Sequence, residues 1–226
     1  RRTEMRASLQ LASLKLRDDP AAARELATAP LAYFTEGRYL RLEADAKNIL
    51  SRALEQLGDF DEARRLAREV LAYADATGNL PAAADALENL AGQAELQGHL
   101  PEALAAHARL ETIYRQQRRV PVLSGVLLRK AETLILLGRG DEAALALDEV
   151  EAALREGTDT DPRRPRRVAR LRALRAVVEG RYDGVEAFAA AADVPPGGEP
   201  DTLAVSARVL RELARAHTGR PGVAPS

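Results

Sequence analysis

The feature that most constrains this chain is a period of forty residues. Three short segments align on it: Leu57-Gly58-Asp59-Phe60-Asp61-Glu62-Ala63, Gln97-Gly98-His99-Leu100-Pro101-Glu102-Ala103 and Leu137-Gly138-Arg139-Gly140-Asp141-Glu142-Ala143, with glycines 40 apart. The register runs back to Arg17-Asp18-Asp19-Pro20, with Ala23 in place of Ala63. It runs forward to Gly180-Arg181-Tyr182-Asp183 after a step of 42, and then to Gly219 after 39. A fixed period of this length signals stacked supersecondary units, each of which must bury its apolar face against a neighbour. The register gives five full units and the first half of a sixth, near 4–37, 38–79, 80–119, 120–160, 164–194 and 201–218, which together form one array over 1–218.

A second beat falls at half the period. Pro81, Pro101 and Pro121 are 20 apart, and proline suits the first position of a helix because its missing N–H would be unpaired there. Glycine at the other end suits a left-handed cap, so each Gly-x-x-Pro/Asp group ends one helix and starts the next. Between turns the apolar spacing is helical: Leu104, His107, Leu110 and Tyr114 on one face, Leu127, Ala131, Leu134 and Leu137 on another. The prediction is about 11 helices in antiparallel pairs of nearly equal length, each about 17 residues or roughly 25 Å. Small residues recur where such helices would cross, at Ala63, Ala103 and Ala143 and again at Ser51, Ala91, Ala131 and Ala173. A larger side chain there would force the axes apart.

Composition fits this reading. The chain has 226 residues, no Trp, 4% aromatics and a formal charge of −1, so its core must be Ala, Leu and Val. The absence of Cys excludes disulfide scaffolds and thiol chemistry. Near-neutrality argues against nucleic acid as a direct partner, which would need a cationic surface. No run approaches 18 apolar residues and no signal peptide opens the chain, so a cytoplasmic location and no membrane partner are expected. Basic residues are nearly all Arg, with Lys only at 15, 47 and 130, the usage of a GC-rich, bacterial genome. A first residue Arg1, with Met only at Met5, suggests a piece of a longer protein.

The position-specific small residues and the Gly-Asp-Phe-Asp-Glu-Ala turn resemble the tetratricopeptide repeat (TPR) family over residues 4 to 219. The period alone also fits HEAT-type helix pairs; the turn chemistry favours TPR. The chain departs from the family in its unit of 40 rather than 34 residues, and in Lys47, Leu87, Leu127 and Ala169 where large aromatics are expected. Long units of this kind resemble the TPR-like arrays of large bacterial transcription activators and of kinesin light chains. The resemblance implies an all-α, right-handed superhelical solenoid that is noncatalytic and binds a protein or peptide segment in a concave groove. First helices would line that groove with Asp45, Asn48, Arg52 and Glu55, then Asp85, Glu88, Asn89 and Glu95, then Leu128, Arg129, Glu132 and Ile135, then Arg167 and Arg170. Such a groove would be acidic in the middle and basic toward its C-terminal end, suited to a ligand with a cationic or amide-rich segment.

Chaperone-binding TPR domains grip a terminal carboxylate with Lys, Asn and Arg. Asn89 and Arg129 match that set, but Asn48 and Arg52 stand in swapped order and Gly125 replaces a basic residue. The cluster Arg163, Arg164, Arg166, Arg167, Arg170, Arg172 and Arg175 surrounds an apolar stripe of Val168, Leu171, Leu174 and Val178, and is read as an exposed face or a contact with an adjacent domain of the same polypeptide. Catalytic signals fail on context. Gly138-x-Gly140 follows a helix and lacks a third Gly, and Arg139-Gly140-Asp141 is a chance tripeptide in a turn. His99, His107 and His217 lie in different units, with His107 on a buried stripe. No enzyme activity, metal or cofactor is expected. Residues 193–201 read as a loop, Thr202 to His217 as a helix with Leu203, Leu210 and Leu213 on its apolar side and Arg208, Arg211 and Arg215 capping the array, and 219–226 as a disordered tail. An alternative function is the effector-sensing region of a bacterial transcription activator.

Overall fold

In a computed structural model, which describes residues 1–193 and 201–218, the chain is all-α. Residues 194–200 of the loop expected at 193–201, and the tail expected at 219–226, lie outside the described residues. Contacts divide the chain into two units, Arg1–Ile113 and Tyr114 onward. Unit 1 holds α1 (Arg2–Lys15), α2 (Pro20–Glu36), α3 (Leu40–Gln56), α4 (Phe60–Thr77), α5 (Leu80–Leu96) and most of α6 (Leu100–Gln116). Unit 2 holds α7 (Val120–Leu136), α8 (Gly140–Arg155), α9 (Arg164–Val178), a 3-10 turn (Tyr182–Gly184), α10 (Val185–Ala192) and α11 (Thr202–Thr218).

The turns explain the half-period. Residues 38, 58, 78, 98, 118 and 138 all have positive φ, between 52° and 86°, so one left-handed residue ends a helix every 20 residues. Four of these are glycine, and Arg38 and Arg118 fill the same role. After each, the next amide donates back to a carbonyl five residues earlier, as in Asp59 N–H to Leu54 O at 2.9 Å and Arg139 N–H to Leu134 O at 2.8 Å. This bonding closes the last helical turn. Residue 59 then caps the following helix, its Oδ1 accepting from the Glu62 amide; Asn79 does the same for Ala82. A single residue therefore stops one helix and starts the next, and the prolines fall at the second helical position, one later than expected.

Within unit 1, α3 packs on α1 and α5 as well as on its sequence neighbours α2 and α4. First helices thus form one layer, against which the second helices pack. In unit 2, α9 likewise contacts α7 and α11. The small-residue positions are the crossings: Ala23, Ser51, Ala63, Ala91, Ala103, Ala131, Ala143 and Ala173 are all fully buried. Ser51 Oγ donates to the Ala63 carbonyl at 2.8 Å, which ties the two small positions of one pair together. Phe34, Leu66 and Val70 fill the core of unit 1; Leu128, Leu134, Ile135, Leu147 and Leu171 fill that of unit 2.

Four expectations fail, wholly or in part, near the C-terminal end. The second helix of the fifth pair, α10, has only 8 residues against 15 in its partner α9, because its first turn is spent on the 3-10 segment and the sequence Pro195-Pro196 follows closely. Val178 is exposed; it lies in the last turn of α9, and the buried stripe runs instead through Val168, Ala169, Leu171, Ala173 and Ala176. On α11 the buried side is Ala204, Ala207, Leu210 and Ala214, while Leu213 is exposed with Val205 and Val209. Of the three α11 arginines expected to face outward, only Arg208 is exposed. Arg211 and Arg215 turn back to Glu186 on α10, both at 3.2 Å.

Candidate ligand-binding faces

The α3–α5 face of unit 1 carries acids at the expected helical spacing. Asp45, Arg52, Asp85 and Glu88 are exposed, and Asn48 and Glu55 are half-buried. Desolvation by the flanking helices raises the pKa of Asp45, although Arg41 and Arg6 pull it back. Asp85 is also raised, first by desolvation and then by the negative charges of Glu88 and Asp45, with Arg52 opposing. Both carboxylates meet bulk water but sit among packed helices, and Asp85 also among like charges, so their ionised forms are disfavoured. Asn89 is buried at 7% exposure, and its amide donates to Asn48 Oδ1 at 2.6 Å. The pair ties α3 to α5 rather than presenting a donor outward. Behind it, Gln93 donates to Ser51 Oγ at 3.3 Å.

Sequence reasoning missed the basic margin of this face. Arg2, Arg6 and Arg41, with Tyr39 and Asp45, line a cleft of about 410 Å³, and the Arg2 guanidinium lies 5.1 Å from the Tyr39 ring centroid. Extending the forty-residue register one unit back from Asp45 would have pointed to the Met5-Arg6 region. Lys47, which stands where the family has an aromatic, is held by Glu43 at 2.7 Å and Glu69 at 2.9 Å. Burial works against its charge, but these two hydrogen bonds outweigh that and raise its pKa.

The α7–α9 face of unit 2 is basic. Arg129, Glu132, Arg167 and Arg170 are half-buried, and Leu128 and Ile135 are buried core residues rather than groove residues. Arg170 donates to Glu132 at 2.8 Å. Desolvation lowers the pKa of Arg167; the charges of Arg164, Arg170 and Arg129 lower it too, while Glu132 opposes. Two other clefts of unit 2 lie beside α10, both lined by its Phe188. One, of about 520 Å³, is walled by Leu154, Pro165, Val168 and Phe188; the other, about 630 Å³, by Arg172, Arg175, Tyr182 and Phe188. Neither includes a residue predicted to bind ligand.

The histidines stand apart. His107 is fully buried, with Nε2 2.6 Å from Glu95 Oε1; His217 stacks on Tyr182; His99 Nδ1 is 3.4 Å from Arg64. Among the described residues no group of three or more His, Cys, Asp or Glu could hold a metal ion, and no helix is long and apolar enough to cross a membrane.

No family model matches the sequence, and no curated protein is significantly similar to it. Solved structures are. A putative kinesin light chain with nearly identical TPR-like repeats from Podosopora anserina superimposes with a TM-score of 0.69 at 17% identity, covering 97% of each chain. A single-substitution variant of that protein gives 0.68 at 19% identity over 97% of this chain and 96% of that one. The apo form of RapI gives 0.65 at 10% identity over 97% and 85%. The chain therefore has the TPR-like fold of antiparallel helix pairs along nearly its whole length. At these identities the likeness is one of fold.

Proposed function

We propose that this chain is a noncatalytic scaffold that binds a protein or peptide segment on the faces of its first helices, and that the α3–α5 face takes a basic segment. The observation that carries the reading is the state of Asp45 and Asp85, accessible carboxylates whose ionisation is opposed by desolvation and, at Asp85, by neighbouring acids. A cationic side chain placed among them would offset both penalties. The rigid helix-pair framework leaves the ordering cost to the ligand.

The test is calorimetry with a Lys-rich peptide. Reversing Asp85→Lys together with Glu88→Lys should weaken binding by about tenfold or more, since each reversal replaces attraction with repulsion. Unchanged affinity would sink the reading. The narrower reading, the effector-sensing region of a cytoplasmic bacterial transcription activator, rests on the resemblance of the forty-residue units and on the Arg-for-Lys usage. A helix-turn-helix encoded next to this segment would support it.

A further inference from the structure

The arginine-rich α9 sorts its charges by side. Toward α8 and the chain beyond α10 each guanidinium meets carboxylates: Arg172 is held by Asp148 at 2.7 Å and Glu151 at 2.9 Å, Arg175 by Asp141 at 3.0 Å and Glu179 at 2.7 Å, Arg166 by Asp201 at 2.8 Å. On the side facing α7 the supply runs short. Arg164 Nε donates to the buried Asp159 at 3.1 Å, with Asp161 a further carboxylate at 3.5 Å, and its Nη2 donates to the Pro121 carbonyl at 2.8 Å. Both terminal nitrogens lie 3.4 Å from where a Cβ on Gly125 would stand, ordinary contact distance, so Arg164 lies against Gly125 as it reaches the Pro121 carbonyl on α7.

One turn on, Arg167 has no carboxylate within ion-pair distance among the described residues. One turn further, Arg170 bonds Glu132, but its Nε is buried without a partner among the described residues. Arg167 is thus a half-buried cation whose electrostatic neighbours are three arginines and one glutamate already bonded to Arg170. An arginine keeps its charge in such a place. What the place lacks is a counter-anion with planar or tetrahedral oxygens to accept the guanidinium forks.

We propose that the α7–α9 face of unit 2, centred on Arg167 and flanked by Arg129, Arg164 and Arg170, binds an oxyanion, a carboxylate or phosphate ester, carried by a bound peptide segment. The proposal rests on the scaffold reading above and adds a ligand of opposite charge on a different face.

The experiment uses fluorescence anisotropy at low salt with three labelled peptides of equal length, bearing Glu, phosphoserine or Gln at the same positions. The wild-type chain should bind the Glu or the phosphoserine peptide about tenfold or more tightly than the Gln peptide, and the tighter of the two identifies the source of the oxyanion. Inorganic phosphate should compete at constant ionic strength if the source is a phosphate ester and not if it is a carboxylate. Arg167→Gln should weaken the preferred peptide by about ten- to a hundredfold, the range for hydrogen bonds to charged groups. Arg167→Lys, which keeps the charge and loses the fork, should fall between. Equal binding of the acidic and Gln peptides by the wild-type chain overturns the proposal, as does an Arg167→Gln chain with unaltered thermal unfolding and unaltered affinity. If the Lys-rich peptide still binds in either case, only the oxyanion site falls; if no peptide of either charge binds, the scaffold reading falls with it.

Discussion

On α3 and α5 of unit 1, acids stand in water among packed helices and repel one another; on α7 and α9 of unit 2, arginines do the same with the sign reversed. Beneath both faces the framework is alike. Ser51 and Ala91 in one unit and Ala131 and Ala173 in the other are fully buried at the same register. The lesson is that the crossings and turns of each pair are set by a few small or left-handed positions, which leaves the outward positions of first helices free to differ. Their linkages differ too. Unit 1 joins α3 to α5 through amides, Asn48 to Asn89, whereas unit 2 anchors its face through a buried charge, Asp159, beneath Arg164.

That last contrast yields the largest expected effect. Asp159→Ala removes a fully buried carboxylate and leaves Arg164 only the partly exposed Asp161 at 3.5 Å and the Pro121 carbonyl, so unit 2 should lose about 2–3 kcal/mol, near the lower end of the cost of breaking a buried ion pair on one side. Urea unfolding measures it, and a loss below about 1 kcal/mol would mean that the basic face does not depend on a buried anchor. A smaller effect should be shared equally by the two units. Arg38 and Arg118 each hold a left-handed backbone at φ 52° and 53°, a conformation that strains side-chain-bearing residues. Arg38→Gly and Arg118→Gly should each stabilise by up to about 1 kcal/mol; destabilisation of either by thermal melting would show that its side chain does more than fill a turn.

The smallest effect concerns pH. Because the folded pKa of Asp85 is raised, the folded chain holds its proton more tightly than the unfolded one, so this group's contribution to stability falls as pH rises through and above the ordinary aspartate range. Asp85→Asn should therefore stabilise at neutral pH, by at most about 1 kcal/mol because the group remains in reach of water, and the gain should vanish at acid pH. A gain independent of pH in parallel melts would contradict an electrostatic origin. Arg167→Gln, with its shift of opposite direction and far above the working range, should show no such pH dependence.

Much of the architecture was legible because it is local. Gly58, Gly98 and Gly138 mark left-handed turns, and the alanines mark crossings, by position in sequence alone. Arg38 and Arg118 hid two turns of the same kind, since only the twenty-residue beat, not residue type, betrays them. Charge partners were not legible. Whether Arg172 is an exposed cation or a bonded one depends on Asp148 and Glu151, more than twenty residues away, and on which side of α9 faces α8. Gly125 read as a missing basic residue, whereas in three dimensions the Arg164 guanidinium from α9 lies against it. The exposure of Val178 likewise follows from its place at the end of α9, which the apolar spacing does not record.

The turn glycines have a further, practical meaning. At Gly58, Gly78, Gly98, Gly138, Gly157 and Gly180 nothing lies within 4 Å of the direction a side chain would take. Each is the tip of a connection that is closed behind by backbone hydrogen bonds and open in front. Such tips are where inserted sequence is best tolerated, so tags, reporter loops or grafted epitopes could be placed at regular intervals along the chain without entering a helix.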